Sequence, residues 1–188
     1  MINLSAVAIV QVEAEVALQY ARQANNLARK IGERSGEAWS LLYLGHANIL
    51  VADYGEARSA FRRVVGIRKK LAQENLVPEA VAGLVQVALL TDDLSAANRE
   101  TEKILAHLKK GSTFEGSEEP LRIYLVCYQT LEKLKDPRSS LVLQEAAQLL
   151  EAQISNLHDE KARRMYVENV PWRRAIYEAW QVDQANSN

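Results

Sequence analysis

The sequence predicts an all-α fold in which antiparallel helix hairpins stack side by side as a solenoid. Three observations carry that prediction. Apolar residues recur on a 3.6-residue period in successive pairs of segments, and an aspartate marks the junction inside three of those pairs, at Asp53, Asp93 and Asp136. The 188 residues also include only eight glycines and four prolines, which leaves little chain for long loops. One hairpin cannot bury its apolar face alone, so a repeat of about 40 residues reads as units that complete one core by stacking.

The chain opens on MINLSAVAIVQVEAEVA, apolar from Ile2 to Val12. This run lacks the basic flank of a secretory leader and is well short of the roughly 20 residues that cross a membrane. Residues 1–34 read as a partial repeat, because Ala17, Ala21, Ala24, Leu27 and Ile31 reproduce the spacing of Ala57, Phe61, Val64, Ile67 and Leu71. A basic last turn and then Gly32 end it, as Gly111 ends a later helix.

In the repeat 35–76, EAWSLLYLGHANILVA sets Leu41, Leu44, Ala47 or Asn48 and Val51 on one helical face. YGEARSAFRRVVGIRKKL does the same with Ala57, Phe61, Val64, Ile67 or Arg68 and Leu71. Asp53 is the N-cap of the second helix, with Glu56 three residues on as in a capping box. Gly45 and Ala57 are small, as a close approach of the two helices demands, so Gly45→Leu is expected to overfill the hairpin by ~1–3 kcal/mol while Arg62→Ala is almost silent.

The pattern returns in the repeat 77–111, where Pro78 opens the first helix and Asp93 and Ala97 match Asp53 and Ala57. It returns again in 118–156, with Pro120 opening the first helix and Pro137 following Asp136 in the first turn of the second. Residues 158–182 read as a terminal helix pair. There HDE at 158–160 supplies a cap, Pro171 starts the last helix, and Trp172, Ile176 and Trp180 pack at i, i+4 and i+8. The polar segment 183–188 is expected to fray. All of this is read as one domain.

Charge bounds the partners. With 23 Lys and Arg against 24 Asp and Glu, no net field draws the whole molecule to nucleic acid or to an anionic membrane, and neither is expected as a partner. Cys127 is the single cysteine and cannot form an intramolecular disulfide, which fits a cytoplasmic protein. Its apolar position reads as a packed thiol rather than a nucleophile.

Candidate chemistry is sparse. GSTFEGSEEP at 111–120 spaces two glycines like a phosphate loop, yet Ser117 and Glu118 stand where the lysine and hydroxyl belong and no strand precedes it, so it reads as a connector. Glu118 and Glu119 suit the positive end of the helix they start. His46, His107 and His158 lie far apart, without the spacing that holds a metal on one helix. Arg62, Arg63, Arg68, Lys69 and Lys70, with Arg58 nearby, read as a solvated outer face. No catalytic residue, metal or cofactor is expected.

With Ala38 as first position, Leu41, Leu44, Gly45, Ala57, Phe61 and Val64 fall on the characteristic positions of the tetratricopeptide repeat, which this segment resembles. The next copy presents Val81, Leu84, Val85, Ala97, Thr101 and Ile104, and the third Tyr124, Cys127, Tyr128, Ser140, Gln144 and Ala147. Their spacings of 40 to 43 resemble the lengthened repeats of large bacterial signal-transducing proteins. ARKIGERSGEAWSLLYLGHA, ILAHLKKGSTFEGSEEPLRIYLVCYQTL and ARRMYVENVPWRRAI together resemble the C-terminal repeat region of bacterial regulators that carry an ATPase module upstream.

The resemblance implies a concave surface lined by first helices, here Trp39, Leu42, Tyr43, His46 and Ile49, then Glu79 and Gln86, then Arg122 and Gln129. Family members that grip chaperone tails use a carboxylate clamp, but Leu42 and Ala82 stand where its lysines would be and His46 and Gln86 where its asparagines would. The expected function is therefore a non-catalytic protein- or peptide-binding module of a bacterial signalling protein. The rival is a regulatory domain whose groove closes on a small molecule, which thermal shift against metabolites would reveal. The apolar start of the chain, with Val7, Ile9, Val10 and Val12, needs a cover, and self-association as a homodimer is the expectation.

Overall fold

The computed structural model describes every residue except Ser112, Thr113, Glu115 and Asn188, and for Asn186 and Ser187 the backbone alone. Among the described residues there are ten α-helices, one turn of 3-10 helix and no strand. They divide into two compact units, Met1–Ser117 and Glu118–Asn188, where the sequence reads as one domain. The division falls within the connector 111–120, three of whose residues lie outside the described set. Phe114 of that connector is buried, stacked nearly parallel on His107 at 6.2 Å between ring centroids.

The first unit holds α1 (Ile2–Val10), α2 (Ala14–Ile31), α3 (Arg34–Leu50), α4 (Tyr54–Lys70), α5 (Val77–Leu90) and α6 (Leu94–Lys109), with the 3-10 turn Glu74–Leu76 before α5. Each helix packs on the next, and α1 also meets α3 as α3 meets α5. Successive helices reverse direction. Asn25 of α2 donates to Ser40 of α3 at 3.1 Å, and Arg68 near the end of α4 lies over Trp39 near the start of α3. α3 and α5 are largely apolar and buried almost all round, whereas α2, α4 and α6 bury one stripe and show a polar face.

What joins these helices is a single corner used repeatedly. The backbone enters the left-handed region at Val12, Gly32, Ala52, Ala72 and Asp92, twenty residues apart, with φ between 54° and 72°, and again at Lys135. At each corner the following amide closes the preceding helix: Asp53 N–H donates to the Asn48 carbonyl at 2.9 Å, as Glu13 does to Ala8, Glu33 to Ala28, Gln73 to Arg68, Asp93 to Ala88 and Asp136 to Leu131. This is the Schellman arrangement. The residue that ends one helix then caps the next, since the Asp53 carboxylate accepts from Glu56 N–H at 3.1 Å and that of Asp93 from Ala96 N–H at 2.9 Å. The expected capping box is left half-made, because Asp53 N–H is already engaged in the corner and is not free for Glu56.

Five of these six left-handed residues carry a Cβ, which that conformation disfavours by roughly 1–2 kcal/mol. Ala52→Gly is therefore expected to raise the unfolding free energy by up to about 1 kcal/mol, the gain being trimmed by the greater freedom of glycine in the unfolded chain. Urea denaturation measures it, and a loss of stability would contradict the corner geometry.

Two details of the first unit depart from the sequence reading. Leu27 and Ile31 lie exposed rather than on the buried stripe of α2. The nine-residue α1 spans only about 14 Å against the ~27 Å of α2, so it reaches no further than the middle of its partner. Arg68, read as part of a solvated face, is 1% exposed, directed inward onto Trp39.

Gly45 does mark a close approach of α3 to α4, and the atoms nearest to it are those of the Phe61 ring. A Cβ at Gly45 would lie 2.6 Å from the Phe61 ring, and one at Gly83 of α5 would overlap the same ring edge still further. Two inner helices thus leave a notch at their glycines, and the fully buried Phe61 of α4 fills it. It sits in a core cluster with Ala38, Leu41, Leu42, Ala57, Val64 and Ile67.

The second unit holds α7 (Pro120–Lys133), α8 (Arg138–Ser155), α9 (Glu160–Glu168) and α10 (Pro171–Ser187). α7 and α8 form a hairpin about the Lys135 corner, and Cys127 is buried within α7. The Asp136 carboxylate receives Arg138 N–H at 2.9 Å, and its ion pair with the Arg138 guanidinium helps hold it down to about 2. Asp159 caps α9 by accepting from Lys161 and Ala162. α10 packs on α7 and α8 as well as on α9, with Trp172 and Ile176 buried and Trp180 half-buried. It continues through the segment expected to fray as far as Ser187, Asn188 lying outside the described residues.

Candidate interaction surface

The residues expected to line a concave groove are largely spent on packing. Leu42, Tyr43, His46 and Glu79 are each under a tenth exposed, and Trp39, Ile49 and Gln86 are half-buried. His46 meets Phe61 edge-on at 4.9 Å between centroids, and Trp39 lies beneath the Arg68 guanidinium at 4.3 Å. Gln86 turns its Oε1 into the interior, where it finds no hydrogen-bond partner among the described residues. The cause is the direct contact of α3 with α5 around the glycine notch, which buries the side chains that face each other there.

In the second unit the matching face of α7 is taken by α10. The Arg122 guanidinium lies 4.4 Å from the centroid of Trp172, whose Nε1 donates to Glu119 at 2.8 Å. Arg173 pairs with Glu119 at 3.2 Å and stacks on Tyr166 at 4.0 Å. Glu119, read as a charge at its own helix start, is thus the anchor of α10. Further along, burial, the hydrogen bond to Glu132 and the Glu132 and Asp183 carboxylates push the Tyr128 hydroxyl up to about 12. Gln129 is half-buried.

The N-terminal apolar stretch is divided. Ile9 is buried against Ala17, Leu18, Ala21, Tyr43 and Ala47, and Val10 is half-buried. Val7 and Val12 stay exposed, and Leu4, one turn before Val7, extends the open stripe. Of the four residues expected to meet a second copy, Ile9 serves the protein's own core.

An open cleft of about 490 Å³ lies elsewhere in the first unit, with α4 and α6 as walls and the start of α5 as floor. Val77, Pro78, Val81 and Leu84 of α5 form an apolar floor two helical turns long, joined by Val65 and Ile104 from the walls. Arg62 and Lys69 stand on one rim, Lys103 and Lys110 on the other. Lys103 is matched by Glu100 at 2.6 Å, and Glu74 is the remaining carboxylate, so the rim carries a net positive charge. The sequence reading missed this site because it treated the α4 cations as one face. The helix parts them: Arg62, Val65 and Lys69 point to the cleft, Arg63 reaches Glu37 at 3.0 Å, and Arg68 is buried. The i, i+3, i+7 spacing of the first three was the available signal.

A second cleft, of about 700 Å³, lies in the other unit among Ile154, Val167 and Tyr177. Its charges balance, with Arg163 and Arg174 against Glu151 and Glu178, and with Arg164 paired to Glu168 at 2.9 Å. Among the described residues, no group of three or more His, Cys, Asp or Glu side chains is placed to hold a metal ion, and no helix is long and apolar enough to cross a membrane. Comparison with protein-family models and with curated proteins gave no match for this chain.

Proposed function

We propose that this chain is a protein- or peptide-binding module of tetratricopeptide-like helical repeats, serving a bacterial signalling protein in the cytoplasm by binding rather than catalysis. The observation that carries the reading is the cleft between α4 and α6, whose continuous apolar floor and charged rims have the size and composition of a peptide-docking furrow. The inner faces of α3 and α5 serve as the rigid frame that positions it. A photo-crosslinking residue at Lys69, in the cleft, is expected to capture a partner from cell extract, whereas one at Ser59, exposed on the same helix outside it, is not. Equal capture at both positions, or none at either, would count against this surface. A second copy of the chain is proposed to meet the Leu4 and Val7 stripe of α1, so Val7→Glu should leave a monomer in sedimentation where the parent chain self-associates; a parent chain that is already monomeric ends that idea.

A further inference from the structure

Resting on that reading, we infer that the occupant of the α4–α6 cleft is an acidic amphipathic helix. The furrow offers two features to one ligand. Its floor repeats apolar side chains at Val77, Val81 and Leu84, i, i+4 and i+7 on α5, over a length of about 10 Å. A helix laid in the furrow presents its own apolar stripe to these residues with the same period, which is how helices enter grooves between helices. The rims decide the sign of the remaining face. Arg62 and Lys69 each stand one turn from Val65 on α4, on either side of it, and Lys110 stands opposite at the end of α6. All three are exposed, and none has a carboxylate partner among the described residues, whereas Lys103 is already matched by Glu100. A helix carrying Asp or Glu along both edges of its apolar stripe meets these cations on both sides, and one carrying Lys meets repulsion on both. An extended strand is the poorer fit, because its side chains alternate on a period of two and put every second one away from this floor.

The test is fluorescence anisotropy with a labelled amphipathic peptide of about four helical turns, leucine on one face and Asp and Glu on the rest, titrated with the full chain. Two companion peptides carry Lys or Gln in place of the acidic residues. The acidic peptide is expected to bind about tenfold or more tightly than the Lys peptide, to weaken as salt rises, and to lose at least tenfold with the exposed triple variant Arg62→Glu, Lys69→Glu, Lys110→Glu, checked for native helicity by circular dichroism. That same variant should now favour the Lys peptide. If the Gln or Lys peptide binds the parent chain as well as the acidic one, or if the triple variant changes nothing, the charge inference is overturned while the docking cleft stands. If an oligonucleotide displaces the acidic peptide at matched charge, the cleft is a phosphate site and the inference is overturned. If no peptide binds, both the inference and the docking role of the cleft are overturned.

Discussion

Phe61→Ala is expected to lower the unfolding free energy of the first unit by about 3–5 kcal/mol, the range for emptying a large aromatic site in a packed core. The ring is 0% exposed and is held by groups that cannot collapse onto the space it leaves. Gly45 and Gly83 have no side chain to move inward, and His46 is itself buried in edge-on contact with the ring. The helices α3 and α5 are fixed against each other, so the cavity stays open rather than closing. Urea denaturation followed by circular dichroism measures the loss; a change below about 1 kcal/mol would mean that the ring is not the wedge described. Gly83→Ala approaches the same site from the other side, and its Cβ is expected to cost about 1–3 kcal/mol by overpacking.

The second large effect is at Arg68. Its guanidinium is buried over Trp39, donates to Gln73 Oε1 at 2.6 Å and to Ser35 Oγ at 3.3 Å, and keeps one nitrogen, Nη2, without a hydrogen-bond partner among the described residues. Burial pushes it below its ordinary value, and the Glu79 and Glu33 carboxylates push back, Glu79 the more strongly. Arg68→Ala removes the cation but leaves Glu79, which is only 6% exposed, in the interior. Removing one member of such a buried charged set is expected to cost about 3–5 kcal/mol. The double variant Arg68→Met, Glu79→Leu should recover much of that loss, because both charges then leave the interior together. A single variant as stable as the parent, or a double variant worse than the sum of its parts, would contradict the assigned role of Arg68.

What the sequence made legible was local. The helices followed from apolar spacing, and the reversals at Asp53, Asp93 and Asp136 followed from a capping carboxylate beside a break in that spacing. Each of those signals sits within a few residues of what it determines. The corners themselves were half-hidden, since only Gly32 among the first five left-handed positions is the residue that announces such a turn. Arg68 was misread because its burial depends on Trp39, Gln73 and Glu79 from three other segments, none of them recognisable as its partner by spacing. His46 was placed on an open surface although it adjoins Phe61, because which inner helices meet is a property of the assembled unit. The cleft was missed for the same reason. Its walls are the second helices of neighbouring hairpins, and only the fold brings Arg62 and Lys69 to face Lys110.

Closure of α3 against α5 around Phe61 is what buries the inner side chains, leaving the outer cleft as the surface proposed for docking, and a double-mutant cycle of Phe61→Leu with Gly83→Ala measures that closure directly. If the ring edge fills the notch at Gly83, trimming it to leucine makes room for the new Cβ, and the double variant will be less destabilised than the sum of the two singles by about 1 kcal/mol or more. Losses that simply add, to within about 0.5 kcal/mol, would show that the two side chains do not share the space and would contradict the account.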